Sequence, residues 1–320
     1  MDDVHKLEIP TPFGVGRVNC YVFAANGLTV LDPGPATESA YDKLAAGLDA
    51  HGFAVADVDR VLITHPHMDH FGIANRVVEE SGARTVAHRD ATRHLADPIE
   101  HFDREQAFFR PFLESMGVPE QIAGTAVTLP EAYTDYQEPL AVDRELTDGD
   151  VVDVGVDLTA VHTPGHAPGS VCFVPSTESV AFTGDHVLQH ISPNPLLTVA
   201  PGTDDERTRS LPAYLDSLDK IRAVEAAVGH GGHGETIPDL NGRAEEILDH
   251  HHRRKERIAD MIDETGPMTA YDVMQEMFPD LPATEVFPGM SEVIGHLDLL
   301  EDEDRVAISE EDGVTQYALR

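Results

Sequence analysis

The chain has 320 residues, 41% of them hydrophobic, so it is long enough for one large packed domain and a smaller one. It carries 58 acidic residues against 22 lysines and arginines, and this formal net charge of −36 disfavours affinity for the phosphate backbones of nucleic acids. The sequence contains no apolar stretch of about 18 residues, so it predicts no membrane-spanning helix.

The charge balance indicates a halophilic protein. Only four of the basic residues are lysines. At a net charge of −36 the acidic side chains would repel one another in dilute buffer, and concentrated salt would screen that repulsion. An ordinary acidic protein is the alternative interpretation.

Two further features predict a cytoplasmic location. Residues 1–6 lack the basic-then-apolar order of a signal peptide. The two cysteines, Cys20 and Cys172, lie in strand-like apolar runs. This placement favours buried thiols in a reducing compartment, with a single disulfide as the alternative.

The first half of the chain alternates predicted strands and helices. Apolar runs bounded by turn residues predict strands, and apolar residues at helical spacing predict helices. The elements predicted in this half are strands at 16–23 and 27–31, a helix at 38–51, a strand at 60–64, a polar loop, a helix near 72–81, a strand at 86–88 and a mostly helical insertion at 89–137.

The second half begins with strands and ends with helices. The elements predicted in this half are strands at 151–161, 170–174 and 179–183, a helix at 208–223, a strand near 226–230, helices at 241–264, 269–278 and 284–300, and a hairpin over 305–319. Strands and helices thus occur in two similar sets. This repetition predicts an α+β fold in which two sheets pack face to face with helices outside, an αββα sandwich.

A cluster of polar residues follows the predicted strand at 60–64. Within six residues the chain presents His65, His67, Asp69 and His70. Neutral imidazoles and a carboxylate are ligands that zinc and iron prefer, and a loop can aim successive side chains at one point. A solvated polar loop, or a histidine cluster that binds stray metal, is the alternative for this segment taken alone.

Three later strand ends carry residues of the same types. His166 lies just past the strand predicted to end at 161, and Asp185 follows the strand at 180–182. The last apolar strand leads into residues 229–234, in which His230 and His233 alternate with glycines that allow close backbone approach. Ligand-type residues at four separate strand ends disfavour chance and predict a metal site.

These motifs resemble those of the metallo-β-lactamase superfamily. The sequence HPHMDH at 65–70 matches the family's HxHxDH signature, and the later motifs occur in the family's order. The segment LDPG at 31–34 resembles the family's early strand and turn, whose aspartate, here Asp32, buttresses the metal site. The resemblance covers roughly residues 8–250, and it is specific for the fold and the metal site but weakly specific for the substrate.

The resemblance implies two divalent metal ions, with Zn²⁺ favoured and Fe or Mn as alternatives. His65, His67 and His166 would hold the first ion; Asp69, His70 and His233 would hold the second, and Asp185 would bridge both. His230 also precedes a glycine, so it stays an alternative to His233. The chain has Gly231-Gly232 where the family has Pro-Gly, which is its main departure from the pattern.

The implied activity is that of a glyoxalase II-like hydrolase. A hydroxide shared by the two metals would attack an ester, thioester or phosphodiester, and Asp69 would orient this nucleophile as a catalytic residue. Two alternatives stay open. One is a mononuclear-iron oxygenase similar to persulfide dioxygenases, which keep the HxHxDH motif. The other is a ribonuclease acting on single-stranded RNA.

The C-terminal segment resembles the winged-helix domain found in one branch of the superfamily. We expect a catalytic domain at 1–250, followed by a linking helix and a winged-helix-like domain at 251–320. Residues 265–320 contain 13 acidic residues against two arginines, which disfavours DNA and RNA as partners. We expect a small-molecule substrate, and the C-terminal domain is predicted to act as a lid or as a contact in a homodimer.

Overall fold

The structure is a computed structural model that describes residues 3–128 and 134–320. Five residues of the predicted insertion, 129–133, lie outside the described residues. The strands are β1 (Val4–Ile9), β2 (Val18–Phe23), β3 (Leu28–Leu31), β4 (Val58–Leu62), β5 (Arg84–His88), β6 (Arg144–Leu146), β7 (Val151–Asp153), β8 (Asp157–His162), β9 (Val171–Pro175), β10 (Val180–Gly184), β11 (Val228–Gly231), β12 (Val306–Glu311) and β13 (Val314–Leu319).

Helices cover the connections between these strands. In chain order the α-helices are α1 (Glu38–Ala50), α2 (Met68–Phe71), α3 (Ala74–Ser81), α4 (Thr92–Ala96), α5 (Pro98–Ser115), α6 (Glu120–Thr128), α7 (Ser210–Arg222), α8 (Leu240–Thr265), α9 (Ala270–Met277) and α10 (Val286–Asp302). In the described part of the chain, no helix combines the length and the apolar character that crossing a membrane requires.

The strands form two large sheets and a C-terminal hairpin. The first sheet has the order β1-β2-β3-β4-β5-β6, antiparallel from β1 to β3 and parallel from β3 to β6. The second has the order β11-β10-β9-β8-β7, in which β11 runs parallel to β10 and the other pairs are antiparallel. The carboxyl ends of β8, β10 and β11 therefore lie at the same edge of the second sheet.

Strand β2 shows how the sequence produces the layers, because successive side chains of a strand point to opposite faces. Tyr21 and Phe23 join the apolar cluster between the two sheets, whereas Cys20 and Val22 join the cluster beneath α1 and α3. A third cluster packs the outer face of the second sheet against α7 and α8. The layers run helix, sheet, sheet, helix, which confirms the predicted αββα sandwich.

The C-terminal elements share an apolar cluster with the helical insertion. Buried residues of α5 and α6 pack with α8, α9, α10 and the hairpin of β12 and β13. Phe109 of α5 is 1% exposed in this cluster and contacts Phe287 of α10, with ring centroids 5.1 Å apart. Helix α8 continues through residue 250. The domain boundary at 250 and the winged-helix assignment stay predictions.

The structure differs from the predicted elements in four places. Strands β1 and β6 were not predicted, and the strand expected at 151–161 is a tight antiparallel hairpin of β7 and β8. Gly155 has φ +96° in that turn. The loop after β4 contains the one-turn helix α2. The prediction of buried thiols is confirmed, since Cys20 and Cys172 are free and buried in separate clusters.

Candidate metal centre

Four connections deliver polar side chains to the edge where the two sheets meet. The loop after β4 carries His65 and His67, and its continuation into α2 carries a further aspartate and histidine. The turns after β8, β10 and β11 supply the other members. The structure brings together all seven side chains that the sequence predicts as ligands: His65, His67, Asp69, His70, His166, Asp185 and His233.

Three histidines form the first part of this cluster. His67 Nδ1 lies 3.1 Å from His65 Nε2 and 3.0 Å from His166 Nε2, so one nitrogen of each ring faces a common point. The outer ring nitrogens of His65 and His166 are held by neutral groups: His65 Nδ1 lies 2.9 Å from Thr64 Oγ1, and His166 Nδ1 lies 3.1 Å from the carbonyl oxygen of Asn194. Such outer contacts orient an imidazole and fix its tautomer.

The second part combines two histidines with two carboxylates. His233 Nε2 lies 3.2 Å from Asp69 Oδ2 and 3.4 Å from Asp185 Oδ2. His70 Nε2 lies 3.5 Å from Asp185 Oδ1 and 3.9 Å from Asp69 Oδ2. Because Asp185 Oδ2 is also 3.8 Å from His166 Nε2, this carboxylate lies between the two parts of the cluster.

The side chains present fit two divalent cations. Three inward-facing atoms, His70 Nε2, His233 Nε2 and Asp185 Oδ1, are buried and form no hydrogen bond with any described residue. Buried polar atoms without partners are costly, so their convergence indicates a missing binding partner. Imidazole nitrogens and carboxylate oxygens in these numbers suit zinc, iron or manganese.

Burial and local charge divide the histidines into two groups. Burial, reinforced by neighbouring imidazoles, lowers the pKa of His67 to about 3 and lowers the pKa of His65 and of His166. These rings are therefore neutral, which is the metal-binding form. Burial also disfavours a positive charge on His70 and His233. The neighbouring carboxylates, Asp185 foremost, stabilise that charge more strongly, so they raise the pKa of His233 to about 10 and that of His70 well above its usual range.

Asp32 supports the cluster from beneath. Its Oδ1 accepts a hydrogen bond from the Thr64 backbone N–H at 2.8 Å, and its Oδ2 accepts one from Thr64 Oγ1 at 2.6 Å. The same Oδ2 lies 2.9 Å from His70 Nδ1. Asp32 adopts a left-handed φ of 54°, which directs its carboxylate to both partners from the turn after β3. It thus holds ligands of both parts of the cluster through Thr64 and His70.

The structure separates the two late histidines. His233 joins the cluster, and its Nδ1 lies 2.8 Å from the carbonyl oxygen of Arg17. His230 lies on β11, where its ring contacts Phe182 at a centroid distance of 5.3 Å. Gly232 lies between them and close to the site, since a Cβ there would lie 2.4 Å from Asp185 Oδ1. The contacts from Arg17 and Asn194 were not predicted, because backbone carbonyls leave no mark in the sequence.

The candidate centre opens into a cavity of about 420 Å³. Apolar side chains form most of its wall. They include Phe13, Val15, Met68, Leu188, Ile191 and Leu196. Among the described residues of the wall, His94 is the one titratable side chain that is not a candidate ligand. Burial lowers the pKa of His94 well below its usual range, so it is neutral. His186 is buried beside Tyr214, and His190 is exposed.

Comparison with known proteins agrees with this geometry. A family model described as the metallo-beta-lactamase superfamily matches residues 13–233. Over 305 residues the chain is 30% identical to the probable metallo-hydrolase YqjP of Bacillus subtilis, a match that spans 95% of this chain and 94% of that protein. The chain belongs to the metallo-β-lactamase superfamily.

Other members of the superfamily extend the comparison. The structure is similar to the crystal structure of a metallo-beta-lactamase family protein from Thermus thermophilus, with a TM-score of 0.82 and 27% sequence identity. The match covers 100% of this chain and 99% of that one. The chain is also 26% identical over 278 residues to an atrochrysone carboxyl ACP thioesterase of Aspergillus fumigatus, covering 83% of this chain and 69% of that protein. The chain is a superfamily metallo-hydrolase with residues able to bind divalent metal.

Proposed function

We propose that the protein is a dinuclear, zinc-dependent hydrolase of acyl thioesters. His65, His67 and His166 would hold one ion, and Asp69, His70 and His233 would hold the other, with Asp185 shared. When bound, two such ions supply an ionised water at neutral pH and positive charge beside the substrate oxygen. This division of ligands is supported by the two groups of converging atoms.

The chain's own residues would position the reactants. Asp69 lines the cavity, and its carboxylate can accept a hydrogen bond from the attacking water and so orient it. Phe13 and Val15 line the same cavity and would limit the access of bulk water to the bound thioester. Asp32 would act as a positioning residue, because it touches Thr64 and His70 rather than the substrate.

The chemistry of the leaving group favours thioesters over oxygen esters as substrates. An alkoxide is a strong base and needs a proton donor, whereas a thiolate has a conjugate acid with a pKa of about 8.5 and departs unprotonated more readily. The described cavity wall offers neutral His94 and no other titratable side chain outside the ligand set. A wall without a strong acid therefore supports a thiol leaving group. The similarity to an ACP thioesterase supports the same substrate class.

A substrate panel tests this proposal. The full chain, loaded with zinc, would be assayed on matched pairs of thioesters and oxygen esters with the same acyl group, and on a phosphodiester, a short RNA and a glutathione persulfide. We expect kcat/KM for each thioester to exceed that for its oxygen ester by at least about tenfold. Preference for the oxygen esters or RNA, or oxygen consumption with the persulfide, would overturn it in favour of the corresponding alternative.

We also propose that the acidic composition adapts the protein to concentrated salt in a cytoplasm. A formal net charge of −36 produces self-repulsion that salt screens. Raising KCl from about 0.1 M to about 1 M, where the Debye length falls to roughly 3 Å, should therefore raise the Tm. Calorimetry measures this, with sucrose as an uncharged control. A Tm that is independent of KCl would favour an ordinary acidic protein.

A further inference from the structure

A second cavity lies directly behind the wall of the candidate metal centre. Its volume is about 190 Å³. Residues of α5, α6 and α10 and of the segment before α7 line it, and its apolar lining includes Phe102, Phe109, Ala126, Val127, Leu197 and Phe287. Most of these side chains are contributed by the insertion and the C-terminal helices, which share one apolar cluster.

Three residues line both cavities. Met68, His94 and Leu196 form part of the wall of the metal-centre cavity and part of the wall of the apolar cavity. Met68 is the residue between His67 and Asp69, which belong to the two candidate ligand groups. The two cavities therefore adjoin at these three side chains, next to the candidate ligands.

Two polar groups of the apolar cavity, Glu105 and His101, already have partners in the protein, whereas the buried Gln137 Oε1 accepts no hydrogen bond from the described residues. Glu105 Oε1 accepts a hydrogen bond from the Val199 backbone N–H at 2.9 Å and lies 3.7 Å from His101 Nε2. His101 stacks on His94 with ring centroids 3.8 Å apart. Burial raises the pKa of Glu105 to about 7, so this side chain carries less charge than a surface carboxylate. These contacts favour an apolar occupant over a charged one.

We propose that this cavity binds the acyl group of the thioester and limits its size. The inference rests on the proposed thioester hydrolysis. An apolar cavity of roughly 150 Å³ holds one benzene molecule. A volume of about 190 Å³ therefore accepts one aromatic ring or a chain of about six carbons. Acetyl thioesters would leave the cavity unfilled and lose the free energy of apolar burial.

Substitutions that change the cavity volume in opposite directions test the assignment. Ala126→Leu fills the cavity and Phe102→Ala enlarges it, while Ala46→Leu adds the same side chain on the exposed face of α1 as a control. We expect Ala126→Leu to lower kcat/KM for hexanoyl and benzoyl thioesters by about tenfold or more, with the acetyl thioester changed less than about twofold. Phe102→Ala should shift the preferred acyl group to longer chains. Equal losses for every acyl group would overturn the proposal.

A binding measurement separates the cavity from the catalytic proposal. Calorimetry would follow binding of a non-hydrolysable S-hexyl thioether of pantetheine to the wild-type chain, to Ala126→Leu and to Ala46→Leu. We expect Ala126→Leu to weaken binding by about tenfold or more, and Ala46→Leu to leave it unchanged. Equal affinity for S-hexyl and S-methyl thioethers would overturn the acyl cavity even if thioesters are hydrolysed. Selective binding without hydrolysis would overturn the proposed function and leave the cavity assignment standing.

Discussion

Replacing His233 with alanine is expected to lower kcat/KM by at least about a hundredfold and to reduce the bound zinc from two ions to one per chain. The reason lies in the second part of the cluster, where His233 Nε2 lies 3.2 Å from Asp69 and 3.4 Å from Asp185. Without this imidazole, a cation there would lose one of its nitrogen ligands. Steady-state kinetics on a thioester and elemental analysis of the purified protein measure the two effects.

His230→Ala is the matched control. It removes the same side chain three residues earlier, from a position where the ring contacts Phe182 instead of the cluster. We expect two zinc ions per chain and kcat/KM within about threefold of the wild-type value, because the lost contacts are ring packing on β11. If His230→Ala loses a metal and His233→Ala keeps both, the assignment of the late ligand is wrong. Circular dichroism of both variants would establish that each one folds.

The sequence predicted the architecture because its physical signals are local. Apolar runs such as the fully buried β2 identify the strands, and ligand-type residues mark the ends of β4, β8, β10 and β11. Strands β1 and β6 were missed. In β1 the alternation of charged and apolar side chains is confined to the four residues Lys6-Leu7-Glu8-Ile9, the shortest run that predicts a strand, and β6 has three residues, too few for a periodic pattern.

Of the groups that hold the candidate ligands in place, the sequence predicted only a side chain, Asp32, and no backbone carbonyl. Asp32 was recognised through its motif, and the structure places it against Thr64 and His70. The carbonyl oxygens of Asn194 and Arg17, which hold His166 and His233, could not be predicted, because every residue has a carbonyl and only the fold brings these two into place. The volumes of the cavities could not be predicted for the same reason, since residues distant in the sequence line them.

Replacing Arg207 with methionine is expected to lower the free energy of unfolding by about 3 kcal/mol or more. The guanidinium of Arg207, just before α7, donates to both carboxylate oxygens of Asp298 on α10, at 2.7 and 2.5 Å. The side chain of Asp298 is 4% exposed, so methionine would leave a buried carboxylate whose remaining ion-pair partner among the described residues is Arg209 Nε at 3.9 Å. Chemical denaturation with a two-state analysis measures the loss.

The surface pair of Arg253 and Asp249 is the control for this effect. Their atoms are 3.9 Å apart and their side chains are 71% and 63% exposed, so Arg253→Met should cost less than about 1 kcal/mol. A second variant that combines Arg207→Met with Asp298→Leu should recover most of the stability, because no buried charge is left unpaired. Equal losses for Arg207→Met and Arg253→Met would contradict the prediction. A large loss that Asp298→Leu recovers would instead identify the unpaired buried carboxylate as the source of the instability.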